Sequence, residues 1–141
     1  LAKKYLDGGA QLGFAAAGDR YYLFPPEAGE QHLWRLLEAL AVIRAAGKIP
    51  VEQLISGEMK GIGVNSVIMV ITPSSSLPIV AALRHLVSRG IIVIAILLDP
   101  LSFGGTASVT DMAHRLMASG VQVHLVRHGE DLATALDSRV S

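Results

Sequence analysis

Hydroxyl-bearing side chains cluster directly after one apolar run of the sequence, in the segment at residues 72–76. The segment reads Thr-Pro-Ser-Ser-Ser and precedes a run with helical spacing. Hydroxyls and free backbone amides in front of a helix can hold an anion or ligate a metal ion. The same residue types also cap helices and form turns, so a structural role is the alternative. The candidate ligand-binding residues of this loop are Thr72, Ser74, Ser75 and Ser76.

A carboxylate follows the most apolar stretch of the chain. Asp99 comes directly after residues 91–98, none of which has a polar side chain, and Pro100 follows it. Asp99 could face a ligand, or it could hydrogen-bond to the next loop, which is the structural alternative. Ligands of open parallel sheets bind beyond the carboxyl ends of the strands. We therefore expect the loops at 72–76, 99–105 and 127–129 to share one edge of a sheet, with Asp99 as a fifth candidate binding residue.

Familiar catalytic motifs do not occur in the sequence. It contains no P-loop, no nucleophile elbow and no zinc-protease helix motif. Gly61 and Gly63 begin a dinucleotide-type pattern, but Ser66 stands where the third glycine belongs and a strand is predicted next. We predict no catalytic residue, no metal site and no cofactor, and therefore a chain that is not an enzyme. The histidines lie on separate predicted elements, the first three on helix surfaces: His32, His85, His114, His124 and His128.

Composition narrows the class of protein further. The 141 residues are 51% apolar and only 17% charged, which indicates one domain with a large core. Twelve basic residues balance twelve acidic ones, so the basic surface that nucleic-acid binding requires is not predicted. The chain has no cysteine, which excludes disulfides and thiolate chemistry. No apolar stretch approaches the ~20 residues of a membrane-spanning helix, so no membrane segment is predicted.

The elements that must position the candidate loops alternate between strands and helices. Residues 11–17 and 20–24 flank Gly18-Asp19 and predict an antiparallel hairpin with a type II′ turn. A helix follows, in which Leu33, Leu36, Leu37, Leu40 and Ile43 recur at helical spacing and predict the buried face. On the same helix, Trp34 either marks an exposed contact surface or belongs to a second buried stripe.

The second half of the chain predicts a parallel sheet. Residues 67–71 form an apolar run that predicts a strand. Residues 91–98 are apolar on successive positions, which is typical of a strand covered on both faces. Ser76 is a predicted cap for the helix between these strands, and Ser108 with Asp111 forms a loose capping box for the next helix. Residues 121–126 alternate as an edge strand does, with His124 on the more exposed face.

Together these elements predict an α/β fold of three layers. Its sheet is mostly parallel and open, of the von Willebrand A-like or Rossmann-like kind, and the hairpin adds one antiparallel strand at its edge. We treat residues 1–141 as a single domain. The chain begins at Leu1 without a methionine or a signal sequence, so we expect it to be a fragment of a longer protein.

The segment from Gly18 through Tyr21-Tyr22-Leu23-Phe24-Pro25-Pro26, followed by Gly29 and a leucine-rich helix, resembles the carboxyl half of the domain-of-unknown-function 58 family. The order of the later segments, including Val70-Ile71-Thr72 and Gly120-Val121, is similar too. The resemblance implies a von Willebrand A-type fold without its first, central strand, which in that family carries an Asp-x-Ser-x-Ser metal motif. That motif does not occur here, and Pro73 and Ser74 replace the family's later metal-binding aspartate. The resemblance therefore implies no working metal site.

The same resemblance implies a function in protein interaction. The family is bacterial or archaeal, often has membrane segments upstream, and works beside a MoxR-type AAA ATPase in the assembly or maturation of other proteins. The resemblance also implies that the chain is a cytoplasmic domain, or the soluble part of a membrane-anchored protein. The alternative is a small-molecule or phosphate-binding α/β enzyme that uses the strand-end loops. Because a missing central strand leaves two unpaired edges, we expect the strand at residue 11 to pair with the strand at residue 67, or another copy to complete the sheet.

Overall fold

The computed structural model describes residues 2–137, except for the side chain of Met59, and shows a mixed α/β chain. Its internal contacts divide the chain into two compact units, Leu1–Leu54 and Ile55–Ser141. The expectation of a single domain stays a prediction. The helices are α1 (Ala2–Asp7), α2 (Glu30–Val42), α3 (Val51–Glu58), α4 (Leu77–Ser88), α5 (Thr110–Ala118) and α6 (Leu132–Asp137), and the strands are β1 (Leu12–Ala17), β2 (Tyr21–Glu27), β3 (Val67–Thr72), β4 (Ile92–Leu98) and β5 (Gln122–Val126).

The first unit is built on the predicted antiparallel hairpin. β1 pairs with β2 from Leu12 opposite Glu27 to Ala17 opposite Tyr21, which confirms the hairpin. The hairpin forms a two-stranded sheet of its own, so the prediction that it adds an edge strand to the parallel sheet is wrong. Pairing of the strand at residue 11 with the strand at residue 67 is also wrong, because β1 pairs only with β2 among the described residues.

The hairpin turn differs from the predicted type II′ geometry. Three residues connect the strands, and Gly18 is not among the glycines with positive φ. Close approach explains this glycine instead, because a Cβ at Gly18 would lie 2.6 Å from the carbonyl oxygen of Arg44. Asp19 holds the same segment, since its Oδ1 accepts from the Arg44 amide at 3.2 Å and its own amide donates to the Arg44 carbonyl at 3.1 Å. The tip of the hairpin is therefore fastened to the chain that follows α2.

Helix α2 packs on β2 and α1 with a face that differs from the predicted one. Its buried residues are His32, Leu36 and Ala39. Of the predicted leucine stripe, Leu36 is buried, while Leu37 and Leu40 are 43% and 48% exposed. The physical reason is that a helix with apolar residues on most of its circumference has no unique buried face until its neighbours are placed.

The second unit contains the predicted parallel sheet. The strand order is β3-β4-β5, and both pairs are parallel, with Val67 opposite Ile92 and Ile94 opposite Gln122. β4 is the central strand, as predicted. Two helices, α4 and α5, connect the strands, contact each other and pack on β4 and β5. Right-handed crossovers between parallel strands that advance in one direction place both helices on the same face of the sheet.

One face of β4 is fully buried within this unit, and the opposite face is partly buried, with Ile92 at its start 53% exposed. Val93, Ala95 and Leu97 are at most 1% exposed and alternate with Ile94, Ile96 and Leu98. The second set packs with Val126 and with Ala135 and Leu136 of α6. Because successive side chains of a strand point to opposite faces, α6 covers the face opposite α4 and α5. The order of helices, sheet and helix in this unit positions the strand-end loops.

Glycines end the connecting helices as predicted, whereas the predicted side-chain caps do not form. Gly90 and Gly120 have φ values of +83° and +86° after α4 and α5. Ser76 stands at the N-cap of α4 without a side-chain hydrogen bond to the helix. The predicted capping box of α5 is wrong, because Val109 is its N-cap and Asp111 instead bonds Arg115 one turn later.

Candidate functional site: the strand-end loops and the outer face of helix α2

The hydroxyls at the end of β3 are engaged in local turns. Thr72 is buried, and its Oγ1 accepts from the amide of Ser74 at 3.1 Å. The Oγ of Ser74 in turn accepts from the amide of Ser76 at 3.2 Å. Ser75 is exposed. The backbone amides of Ser74 and Ser76 could have bound an anion, but both already donate to neighbouring hydroxyls. Serine and threonine commonly form turns of this kind.

Asp99 lies at the carboxyl end of the central strand and is only 6% exposed. Its amide donates to the carbonyl of Val126 at 3.0 Å, which ties it to β5. Its Oδ2 lies 3.8 Å from Nε of Arg127, a side chain that is 48% exposed. Its Oδ1 is buried and has no hydrogen-bond partner among the described residues. A buried carboxylate oxygen without a donor is costly, by about 1–3 kcal/mol, so this atom favours a ligand that donates a hydrogen bond.

The loops after β4 and β5 are joined to each other. Ser102 donates from its Oγ to the carbonyl of Asp99 at 2.8 Å, and the same Oγ accepts from the amide of His128 at 2.9 Å. The ring of Phe103 meets that of His128 edge-on, with 5.3 Å between ring centroids. The structure thus brings the 99–105 and 127–129 loops together, as the sequence predicted for one edge of a parallel sheet.

The 72–76 loop leaves the same edge of the sheet but stays separate. Thr72 is opposite Leu97 in the register, two residues before Asp99. Within residues 2–137, no hydrogen bond or ion pair links the 72–76 loop to Asp99 or Arg127. Nor does that part of the chain contain a group of three or more His, Asp or Glu side chains that could hold a metal ion.

Two histidine predictions are wrong. His32 was expected on a helix surface but is 2% exposed, and its Nε2 donates to the carbonyl of Leu12. Its Nδ1 lies 3.6 Å from a carboxylate oxygen of Glu27 and has no hydrogen-bond partner among the described residues. His124 was expected on the more exposed face of β5 but is 8% exposed. His85 and His114 are exposed on α4 and α5, as predicted.

Helix α2 presents a second apolar stripe that includes Trp34, and the sequence left open whether this stripe is exposed or buried. Trp34 is 60% exposed, and Leu37 and Ala41 follow it at helical spacing on the side opposite the buried face. Beside this stripe, between α2 and β2, lies an open and mainly apolar groove of ≈ 600 Å³. Its lining residues are Tyr22, Phe24, Arg35, Glu38, Ala39, Ala41 and Val42. Of the two alternatives for Trp34, an exposed surface or a second buried stripe, the structure supports the exposed surface.

Comparison with known proteins gives no further identification. No family model matches the chain, and the search of curated proteins finds no significant match. Among the described residues, no helix is both long enough and apolar enough to span a bilayer.

Proposed function

We propose that this chain is a protein-interaction or scaffold domain whose contact surface is the outer face of α2. The proposal includes the role implied by the family resemblance, in which the domain acts with a MoxR-type AAA ATPase in the assembly or maturation of other proteins. It describes a cytoplasmic domain, or the soluble part of a membrane-anchored protein, that performs no catalysis itself.

The single observation that carries this proposal is the exposure of Trp34. The buried residues of α2 in the first unit are His32, Leu36 and Ala39, so the packing of α2 does not require Trp34. A large aromatic side chain that is 60% exposed keeps most of its apolar surface in water. Tryptophan is the residue type most enriched among the energetic centres of protein interfaces. An exposed apolar surface of this kind typically marks a contact site.

The groove next to Trp34 supports the same function. Tyr22, Phe24 and Val42 line it with apolar surface, while Arg35 and Glu38 supply charge beside them. Arg35 also lies 3.4 Å from the carboxylate of Glu27, so its position is partly fixed. An apolar centre with a charged rim is the usual anatomy of a protein interface.

Binding measurements with purified MoxR-type ATPase from the same organism test this proposal. We expect Trp34→Ala to weaken binding at least about tenfold, which corresponds to ~1.4 kcal/mol. The matched control is Leu132→Ala, because Leu132 is 62% exposed on helix α6 of the second unit. Absence of binding by the wild-type chain, or equal binding by Trp34→Ala, would contradict the proposal.

A second candidate function is a small-molecule-binding α/β enzyme that uses the strand-end loops. Asp99 favours it, because its buried Oδ1 has no donor among the described residues. A buried carboxylate repels phosphate, so this oxygen suits a ligand with an amine or hydroxyl donor. A thermal-shift screen of amines and polyols against wild type and Asp99→Asn tests this candidate. A ligand that stabilises only the wild type would support it, and a screen without such a ligand would count against it.

A further inference from the structure

Strand β3 has one edge that no strand covers. It pairs with β4 along Val67–Thr72, and within residues 2–137 no strand pairs with its other edge. Two of its side chains remain well exposed, Val67 at 52% and Ile71 at 57%. An uncovered edge presents a row of backbone donors and acceptors that can pair with another extended chain.

The usual features that keep an edge strand from pairing are missing in β3. Its sequence is Val-Ile-Met-Val-Ile-Thr, without a charged residue or a proline. Its register with β4 is continuous over all six residues, so no bulge twists the strand away. Lysines, prolines and bulges are the devices by which proteins blunt such edges. The opposite edge of the sheet differs, because every side chain of β5 is at least half-buried.

The sequence around β3 is symmetrical about Met69. If the strand is read backwards from residue 72 to residue 66, every position meets a residue of its own class. An antiparallel pair of identical strands centred on Met69 would place these residues opposite each other: Ser66 and Thr72, Val67 and Ile71, Ile68 and Val70, and Met69 and Met69 of the second copy.

We propose that β3 pairs antiparallel with β3 of a second copy of this chain, with Met69 on the two-fold axis. A two-fold interface requires a self-complementary surface, and the class symmetry of residues 66–72 supplies it. Cross-strand pairs of β-branched residues stabilise sheets, and four of the seven pairs over residues 66–72 join valine to isoleucine. The two three-stranded sheets become one sheet of six strands, in the order β5-β4-β3-β3-β4-β5.

Cross-linking through single cysteines tests the centre of the pairing. The chain has no cysteine, so Met69→Cys introduces its only thiol. Directly opposite residues in an antiparallel pair have Cα atoms about 4.5–5.5 Å apart, within the range of a disulfide. Val67→Cys is the matched control, because the two copies of residue 67 would lie about 13 Å apart along the strands. We expect mild oxidation to link Met69→Cys into a covalent dimer and to leave Val67→Cys unlinked.

Charge pairs at the two exposed positions test the register independently. In the proposed pairing, residue 67 of one copy faces residue 71 of the other. Val67→Lys with Ile71→Lys therefore places like charges opposite each other, whereas Val67→Lys with Ile71→Glu places opposite charges together. Both positions are more than half exposed, so both variants keep the core intact.

Analytical ultracentrifugation supplies the readout. We expect wild type and the Lys/Glu variant to sediment at about twice the 14.9 kDa chain mass and the Lys/Lys variant as a monomer. A wild type that stays monomeric at about 100 μM would overturn the proposal. Its dimer dissociation constant would then be too high for an ordinary specific interface. A dimer that both charge variants retain, or equal cross-linking of both cysteine variants, would overturn it as well. The outcome is independent of binding by Trp34, which lies outside the second unit.

Discussion

Helices α2 and α4 are similar in length and in apolar content, but α4 buries more of its apolar side chains than α2 does. α4 has 12 residues and buries Ile79, Leu83 and Leu86 completely. α2 has 13 residues, yet Leu37 and Leu40 remain about half exposed. α4 connects two neighbouring strands of a parallel sheet and is covered by that sheet and by α5. α2 packs on a hairpin of two strands, which is a narrow platform for a helix. Apolar spacing therefore identifies a helix, while its neighbours decide how much of it is buried.

The largest effect expected from this contrast follows from matched leucine truncations. Leu83→Ala removes a side chain that is 0% exposed and leaves a cavity between helix and sheet. We expect it to lower the free energy of unfolding by about 2–5 kcal/mol. Leu37→Ala removes a side chain that is 43% exposed, and we expect a loss below about 1 kcal/mol. Urea unfolding followed by circular dichroism measures both.

The comparison fails if the two truncations destabilise the protein equally. That result would mean that Leu37 is buried in solution, for example by a stable partner or a second copy. Repeating the unfolding of Leu37→Ala over a range of protein concentrations separates these cases, because burial by association makes stability concentration-dependent.

A smaller effect is expected from the histidines of the same two helices. His32 of α2 is 2% exposed and donates to the carbonyl of Leu12, whereas His85 of α4 is exposed. His32→Leu keeps most of the side-chain volume but removes the donor, so we expect a loss of about 1–3 kcal/mol. His85→Leu should change the free energy of unfolding by less than about 0.5 kcal/mol. Equal unfolding midpoints for the two variants would show that the bond to Leu12 contributes nothing to stability.

The parallel sheet could be predicted because its signals are local. Residues 91–98 are apolar at every position, and Gly90 and Gly120, which lie before β4 and β5, end the preceding helices with positive φ. These features depend on short stretches of chain and on backbone sterics. The type and order of the elements therefore followed directly from the residues.

Other features depend on contacts between distant residues. The burial of His32 requires β1 to lie beside α2, which nothing near residue 32 indicates. The separate hairpin sheet likewise depends on which edges meet, and hydrophobic pattern alone does not fix pairing between distant strands. At the candidate site, the sequence placed Thr72 and Asp99 correctly at strand ends. It could not show that Thr72 is bonded within its own turn while one oxygen of Asp99 has no donor.

The smallest expected effect concerns one exposed aspartate in each unit. The amide of Arg44 is the main cause that lowers the pKa of Asp19, helped by its own amide, Tyr22 and Arg20. The amide and then the hydroxyl of Thr134 lower the pKa of Asp131 in the same way. Because these pKa values are lowered in the folded state, the two carboxylates stabilise the fold fully above the ordinary aspartate value of 3.8. This stabilisation disappears as the pH falls through the lowered pKa of each folded-state carboxyl.

Asp19→Asn and Asp131→Asn test whether the two units respond alike to acid. Each variant should unfold at lower urea concentration than wild type near pH 6, and the difference should shrink steadily from pH 4 downward. Since both residues lie at the exposed surface, solvent screening keeps the effects small. A difference that grows on acidification would mean that the protonated carboxyls are the stabilising form. If only Asp19→Asn shows the trend, the bond that fastens the hairpin tip to Arg44 limits acid stability, and the first unit unfolds before the second.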